Sequence, residues 1–433
     1  MNRPLGNQTT ISSTMIDNIL DSSVIVVYTP SVIERPIYME AFLRQMSTPL
    51  VKVLAGIRRC GKSSLLSLLE GKLLADGVPK SRILSVNMES LQFDEYRNFR
   101  SMYALVQEKL PTGGYFLLDE AQHVEGWERV AASLLAEGSV ECIITGSNAS
   151  LLKSELGTLL TGRYSLMPVF TLSFPEFRSF TAASLGDQAP PKDAVLLARY
   201  LQVGGFPAIH RLPEEGATFA YLSTLLDSIL LRDVVQRHAI RDPDGLRRIL
   251  AFTMDNVGNV TAARRISEYL KSQRRSVSTD TVANYLGYLC DSFLLHRAPR
   301  FDIRGKQHLE YSEKYYAGDL GLRHGLLGFR DRDISGVLEN AVFLELERRG
   351  YTVSVGVVGT REVDFVAERS DERRYYQVCS SLADEATIER ELGSLERIDD
   401  HWPKAVLVYA DSVFAGRSGI KVSSVLDFLN GAE

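Results

Sequence analysis

Cysteine is scarce. The four residues, Cys60, Cys142, Cys290 and Cys379, lie far apart and form no CxxC pair. That spacing excludes a disulfide framework and a structural zinc site, and it leads one to expect a reducing, cytoplasmic setting. Long apolar runs are also missing: none approaches the roughly 20 residues that span a bilayer, and the N-terminal stretch lacks a secretory-signal pattern, so no membrane partner is expected. Nor is there a global excess of positive charge. Lys and Arg number 49 against 54 Asp and Glu, a net charge of −5 with a pI near 5.9, so the chain as a whole is no polycation.

What is present is a soluble globular composition, 45% hydrophobic and 24% charged, over 433 residues. That length accommodates two or three domains, each with its own core. Residues 1–30 are polar and irregular apart from Val24 to Tyr28, and read as a loosely held extension. The charge is uneven: residues 245–306 carry eleven Lys and Arg against five Asp and Glu. Such a local basic excess is either a nucleic-acid footprint or a solvated charged face.

The most specific local signal is KVLAGIRRCGKSSLLSLL, Lys52 to Leu69. Gly56, four residues, then Gly61, Lys62 and Ser63 is the spacing of a phosphate-binding loop, with a β-type run before it and leucines at helical spacing after it. The loop Gly56, Ile57, Arg58, Arg59, Cys60, Gly61, Lys62, Ser63 and Ser64 would wrap backbone N–H groups around phosphates at a helix N-terminus. Lys62 would contact the β- and γ-phosphates, and Ser63 would ligate Mg²⁺. A second acidic element follows in GYFLLDEAQ, Gly114 to Gln122. An apolar strand there ends in two carboxylates, Asp119 for the metal and Glu120 to polarise the attacking water. With the guanine-specific NKxD signature absent, ATP is the expected nucleotide.

Two more buried strands are expected, Arg82 to Met88 and Glu141 to Asn148. An additional strand between the loop strand and the acidic strand marks the additional-strand, catalytic-glutamate class of ATPases. Thr145, Ser147 and Asn148 then fall beside the γ-phosphate, where Ser147 or Asn148 would orient the water; a plain turn is the other reading. Arg163, between a glycine and a strand, is either a finger toward a γ-phosphate, in its own subunit or a neighbour's, or a surface ion pair.

GIRRCGKSSLL, YFLLDEAQ, ITGSNASLLKSELGTLLTGRY and LSFPEF together resemble the prokaryotic AAA+-type ATPases that carry a C-terminal domain of unknown function. The resemblance runs from about Glu34 to the end. It implies an α/β fold: a P-loop core with a parallel sheet, a helical lid, then winged-helix and restriction-nuclease-like parts. The expected divisions are an extension at 1–33, the core at 34–190, the lid at 191–242, a winged helix-turn-helix at 243–320 and a nuclease-like α/β domain at 321–433. In the lid, Arg232 and Arg237 are alternative sensor arginines, and Gly204-Gly-Phe-Pro207 reads as a rigid turn.

From Pro243 the pattern changes to three short helices, Leu246–Asn256, Ala262–Ser272 and Thr279–Ser292, followed by extended pieces at Phe293–Phe301 and His308–Tyr316. That order is a winged helix-turn-helix. Ser278, Thr279, Thr281 and Asn284 would face a groove, with Arg264, Arg265, Lys271, Arg274 and Arg275 near phosphates; protein contact or scaffolding is the alternative. Further on, Glu339 on a helix, Asp364 on a strand and Gln377 on the next match the metal-ligand positions of a restriction-type nuclease. Cys379 stands at the lysine position, and residues 371–383 contain no lysine. A nuclease-like fold with cleavage lost is therefore expected, a residual metal site being the alternative. Three functions remain open: an Mg²⁺-dependent ATPase moving a C-terminal module, an ATP-regulated DNA nuclease, and a nucleotide switch for protein partners. Oligomeric state is not legible.

Overall fold

The computed structural model describes residues 33–46, 48–148, 160–212, 215–330, 333–410 and 416–432. The extended piece Val24 to Tyr28, and residues 149–159 within the SNASLLKSELGTLLTG stretch, lie outside the described residues.

The first half is built on a five-stranded parallel sheet with order β2-β3-β4-β1-β5. Its strands are β1 (Val51–Ala55), β2 (Ile83–Asn87), β3 (Gly114–Asp119), β4 (Val140–Gly146) and β5 (Tyr164–Pro168). They are near-continuous apolar runs because helices cover both faces. Side chains alternate across each strand. Val51, Val53 and Ala55 join one core with α3 (Phe99–Lys109) and α4 (Trp127–Glu137). Leu54 joins the other with α1 (Pro36–Gln45) and α2 (Lys62–Ala75). The strand standing between the loop strand and the acidic strand is β4. The piece that lies between them in the chain, β2, takes the edge.

Helices α5 (Phe174–Leu185), α6 (Asp193–Val203) and α7 (Glu215–Ile229) follow, the last running directly into a π-helical segment, Leu230–Gln236. Ser173 and Glu176 form a reciprocal capping box at the start of α5. Then come α8 (Pro243–Asp255), a short strand β6 (Val260–Thr261), α9 (Ala263–Ser272) and α10 (Thr279–Asp291). The Ser278 hydroxyl accepts from the Thr281 N–H at 3.1 Å and starts α10. A hairpin of β7 (Leu295–Asp302) and β8 (Gln307–Ala317) leads to α11 (Leu320–Leu327) and α12 (Ile334–Arg348). The chain ends with β9 (Thr352–Val358), β10 (Arg361–Arg369), β11 (Glu372–Cys379), α13 (Glu385–Leu395), β12 (Lys404–Val408), β13 (Gly416–Arg417), β14 (Ile420–Ser424) and α14 (Val425–Leu429).

These later strands form one sheet of order β13-β14-β12-β11-β10-β9-β7-β8-β6. The hairpin is part of it because β7 runs parallel to β9, Arg300 opposite Val355. Residue 320 is thus no break in the sheet. Nor is there an apolar break between the halves: a single core runs from Leu65 of α2 through Phe206 and Leu289 to Phe343 and Phe365. No helix among the described residues is long and apolar enough to cross a membrane.

The GGFP turn is where the halves meet most tightly. Gly204 has φ +71°, and a Cβ there would lie 2.1 Å from Asp319 Oδ1. Asp319, fully buried, accepts from the N–H groups of Gly205 and Gly321 at 2.8 Å each. Burial pushes its carboxyl up to about 6, against the opposing pull of these N–H donors and the Thr171 hydroxyl. Gly204→Ala combines a left-handed backbone with a clash against this carboxylate, so it should cost about 3 kcal/mol or more of stability. A urea midpoint close to that of the parent protein would contradict this packing.

Candidate nucleotide site and C-terminal acidic cluster

The carboxyl ends of β1, β3 and β4 converge on one edge of the parallel sheet, where such folds place ligands. The loop leaves β1 at Gly56, where a Cβ would sit 2.0 Å from the Val169 carbonyl oxygen, so only glycine fits. It turns through left-handed residues, Arg59 at φ 70° and Gly61 at φ 107°, into α2. Lys62 is buried and donates to the carbonyls of Gly56 at 2.8 Å and Ile57 at 3.2 Å. Arg59, Ser63 and Ser64 are exposed, whereas Ile57 and Cys60 are buried, and Arg58 pairs with Glu89 at 2.5 Å.

Asp119 and Glu120 stand at the tip of β3, both buried. The Thr145 hydroxyl, at the tip of β4, donates to Asp119 Oδ1 at 2.5 Å and accepts from the Glu120 N–H at 2.9 Å. That pair of bonds holds Glu120 in a left-handed backbone, φ 57°, which costs a non-glycine residue roughly 1–2 kcal/mol. Gln122 donates to the Glu120 carboxylate and to Ser147 Oγ at 3.4 Å. Asn148 is fully buried beside them at the end of β4. The loop, both carboxylates and this polar tip are therefore one site. Their donor set, a hydroxyl at Ser63 and a carboxylate at Asp119 around a lysine-bearing loop, suits Mg²⁺ with a nucleotide.

Arg163 is not part of this site. It is exposed at the amino end of β5, and its carbonyl accepts from Val51 N at 3.0 Å, at the start of β1. The loop leaves the opposite end, where Ala55 pairs with Pro168. Four steps of about 3.3 Å separate the two ends, so the phosphates bound by its own loop are beyond its side chain. Only the form of the finger that reaches a neighbouring subunit survives. The lid arginines Arg232 and Arg237 are both exposed, and Arg237 joins the charges that act on Asp233. The inward residue is Asp233, 9% exposed, whose Oδ2 has no hydrogen-bond partner among the described residues. Burial pushes its carboxyl up to about 6, opposed by Arg58 and Lys62 and reinforced by Glu120, so it lies within the field of the loop. Regular helical spacing hides this residue, because the π-helical segment re-phases the lid face.

Arg35 is a second residue that motif reading passes over. It is 2% exposed and pairs in a fork with Glu176, Nε to Oε1 at 2.8 Å and Nη2 to Oε2 at 3.0 Å. The same guanidinium donates to the Cys60 carbonyl at 3.0 Å and the Phe170 carbonyl at 3.1 Å. The phosphate loop is thereby tied to the segment that follows β5.

In the C-terminal half, Glu339 and Asp364 do meet, but around a lysine. Lys314 of β8, 2% exposed, has its ammonium 2.7 Å from Glu362, 3.1 Å from Glu339 and 3.6 Å from Asp364. Tyr316 donates to Glu339 Oε2 at 3.3 Å. Asp364 Oδ2 accepts from the Val378 N–H at 2.9 Å, and Gln377 Oε1 accepts from the Asp364 N–H at 3.3 Å. Burial and the Asp364 charge push the Glu339 carboxyl up, and burial pushes the Cys379 thiol up to about 12. Cys379 therefore supplies no charge, yet the cluster has its cation, Lys314, which lies outside residues 371–383. It arrives from the hairpin because β8 belongs to the same sheet and is clasped to α12. The Asn340 amide bonds both the N–H and the carbonyl of Ala317, at 2.7 and 2.9 Å, and Tyr316 stacks on Phe343. A metal site at Glu339, Asp364 and Gln377, the alternative to a fold used without cleavage, does not fit. Among the described residues no group of three His, Cys, Asp or Glu is arranged to hold a metal ion, and an ammonium takes the centre here.

The basic segment is partly neutralised. Arg264 pairs with Glu268 at 2.8 Å, Arg275 with Asp244 at 2.5 Å, and Arg248 with Asp244 at 3.2 Å. Arg265, Lys271 and Arg274 are exposed without an ion pair among the described residues, near the exposed Ser278, Thr279 and Asn284 at the start of α10.

A family described as an AAA domain matches residues 48–178, and a domain of unknown function, DUF8612, matches residues 195–333. An uncharacterized protein of Haemophilus influenzae is 36% identical over 402 residues, covering 92% of this chain and 99% of its own length. Another, of Methanocaldococcus jannaschii, is 28% identical over 355 residues, covering 80% and 78%. Among solved structures, a Walker-type ATPase of Pyrococcus abyssi aligns at 16% identity with a TM-score of 0.49, covering 68% of this chain and 96% of that one. The Orc1 protein of Aeropyrum pernix in complex with DNA aligns at 13% identity with a TM-score of 0.30, covering 69% and 94%. The end-to-end match in Haemophilus and the AAA domain over the loop and acidic strand lead to one conclusion: the chain belongs to the family of that Haemophilus influenzae protein and carries an AAA domain at residues 48–178.

Proposed function

We propose that the chain hydrolyses ATP and uses the nucleotide cycle to move its lid against the C-terminal half. In this reading Lys62 exchanges its bonds to the Gly56 and Ile57 carbonyls for the β- and γ-phosphates, and the N–H groups of the loop and of α2 hold the rest of the phosphate charge. Ser63 and Asp119 would hold the Mg²⁺ that accompanies ATP, which when bound neutralises phosphate charge. Glu120 takes the proton of the attacking water. Gln122 orients that carboxylate, Thr145 fixes its backbone, and Ser147 or Asn148 positions the water from the tip of β4.

The observation that carries the coupling is the main chain from Val169 to Ser173. On one side the Val169 N–H bonds Ala55, and Arg35 ties the Phe170 carbonyl to the loop at Cys60. On the other side Arg348 of α12 donates to the Thr171 carbonyl at 3.4 Å, and Leu172 N–H bonds Gly205, whose own N–H is held by Asp319. A shift of the loop therefore pulls on both halves. The unpartnered Asp233 supplies the push: a γ-phosphate arriving beside Lys62 and Glu120 places negative charge near a buried carboxylate. The lid relieves that repulsion by moving or by taking up a proton.

A DNA partner is the second reading, favoured by the exposed Arg265, Lys271 and Arg274 beside the start of α10, which form no ion pair among the described residues. A protein partner reached through the same helices is the alternative outcome.

Lys62→Ala should abolish nucleotide binding, whereas Glu120→Gln should retain it and lower kcat at least about 100-fold. Equilibrium binding of a fluorescent ATP analogue and a phosphate-release assay separate the two; parental turnover by Glu120→Gln would remove Glu120 from the role of base. For the DNA reading, Ala at Arg265, Lys271 and Arg274 together should flatten the slope of log affinity against log salt by about 2 to 3. Duplex titrations at several salt concentrations check this, and an unchanged slope would take this face out of the interface.

A further inference from the structure

We propose that the Lys314 ammonium is the resident cation of the C-terminal carboxylate cluster and takes the place a divalent metal fills in restriction-type nucleases. The cluster then works as an ionic hub binding β8, α12 and β10 together, not as a metal centre for strand cleavage. Lysine carries three N–H donors and no acceptor, and three carboxylates from two elements surround it. Glu362 and Glu339 lie within hydrogen-bond distance, at 2.7 and 3.1 Å, and Asp364 completes the cage at ion-pair distance, 3.6 Å.

Several ligand atoms carry further bonds. Glu339 Oε2 also receives the Tyr316 hydroxyl, Asp364 Oδ2 the Val378 N–H, and Gln377 Oε1 the Asp364 N–H. A divalent ion coordinated at about 2.0–2.6 Å by these oxygens would occupy the volume of the ammonium and repel its charge. One cation excludes the other. Lys314 is 2% exposed, so carboxylates in place of water serve its ammonium. Removing it leaves Glu339 and Asp364 as close like charges in a buried place, which is a demand for a metal or a proton. In the wild-type cluster the Lys314 ammonium meets that demand.

Mn²⁺ binding counted by electron paramagnetic resonance, on the full chain without nucleotide and in an Asp119→Asn background that disables the first site, tests this directly. The Asp119→Asn protein should bind no Mn²⁺ at the cluster. Adding Lys314→Met should create one site per chain, lost again on Asp364→Asn. If Lys314→Met does not fold, Lys314→Met with Glu362→Gln removes one unpaired carboxylate and keeps Glu339 and Asp364 for the metal. Mn²⁺ bound with Lys314 in place and lost on Asp364→Asn would overturn the proposal. So would a folded Lys314→Met protein that binds none. Mn²⁺ that survives Asp364→Asn lies elsewhere and leaves the cluster without a metal, as proposed.

Discussion

The five residues from Val169 to Ser173 bear hydrogen bonds from both sides, and the rest of the structure hangs on them. Burying main chain without partners is costly, and five groups here are matched: Val169 N–H to Ala55, the Phe170 carbonyl to Arg35, the Thr171 carbonyl to Arg348, Leu172 N–H to Gly205 and its carbonyl to the Tyr200 hydroxyl. Arg35, Arg348 and Tyr200 donate, from the segment before α1, from α12 and from α6, while the carbonyls of Ala55 in β1 and Gly205 accept. A displacement of any one must be answered by the others or leave a buried polar group unpaired, at about 1–3 kcal/mol each. The ion pair of Arg35 with Glu176 stiffens the arrangement, because separating its partners would strand a buried charge.

The same logic explains why the chain is not a string of independent modules. Gly204 and Asp319 interlock, the hairpin β7–β8 is laid into the second sheet, and one apolar core crosses the division. Both outer edges of the hairpin are taken, that of β7 by β9 and that of β8 by β6. Any nucleic-acid contact would therefore rest on α9 and α10.

What the sequence made legible follows from how local each signal is. The phosphate loop, the acidic strand and the three helices after Pro243 are written in contiguous residues with steep physical requirements, a glycine that must lack a Cβ at Gly56 or a cap at Ser278. Placement across the sheet is not contiguous. Arg163 reads as a finger in the chain and lies at the wrong end of β1 in its own subunit, because parallel register sets its position. Asp233 was hidden by a π-helical segment that no 3.6-residue period anticipates. Lys314 was hidden because a cation was sought on the strand of Gln377, whereas sheet order brings it from a hairpin some sixty residues earlier. Its signal in the sequence was a lone lysine two residues before Tyr316, on the same face of a strand otherwise rich in aromatic residues.

The central claim is that the nucleotide site and the C-terminal half respond as one body. Amide hydrogen exchange on the Glu120→Gln protein, with and without ATP and Mg²⁺, addresses it most directly. The account predicts that protection changes at residues 56–64 are accompanied by changes at residues 169–173, 204–205 and 319–324, with the α12 residues around Arg348 following. Changes confined to residues 56–64 and 119–148, with the segment after β5 and everything beyond it unaltered, would contradict it.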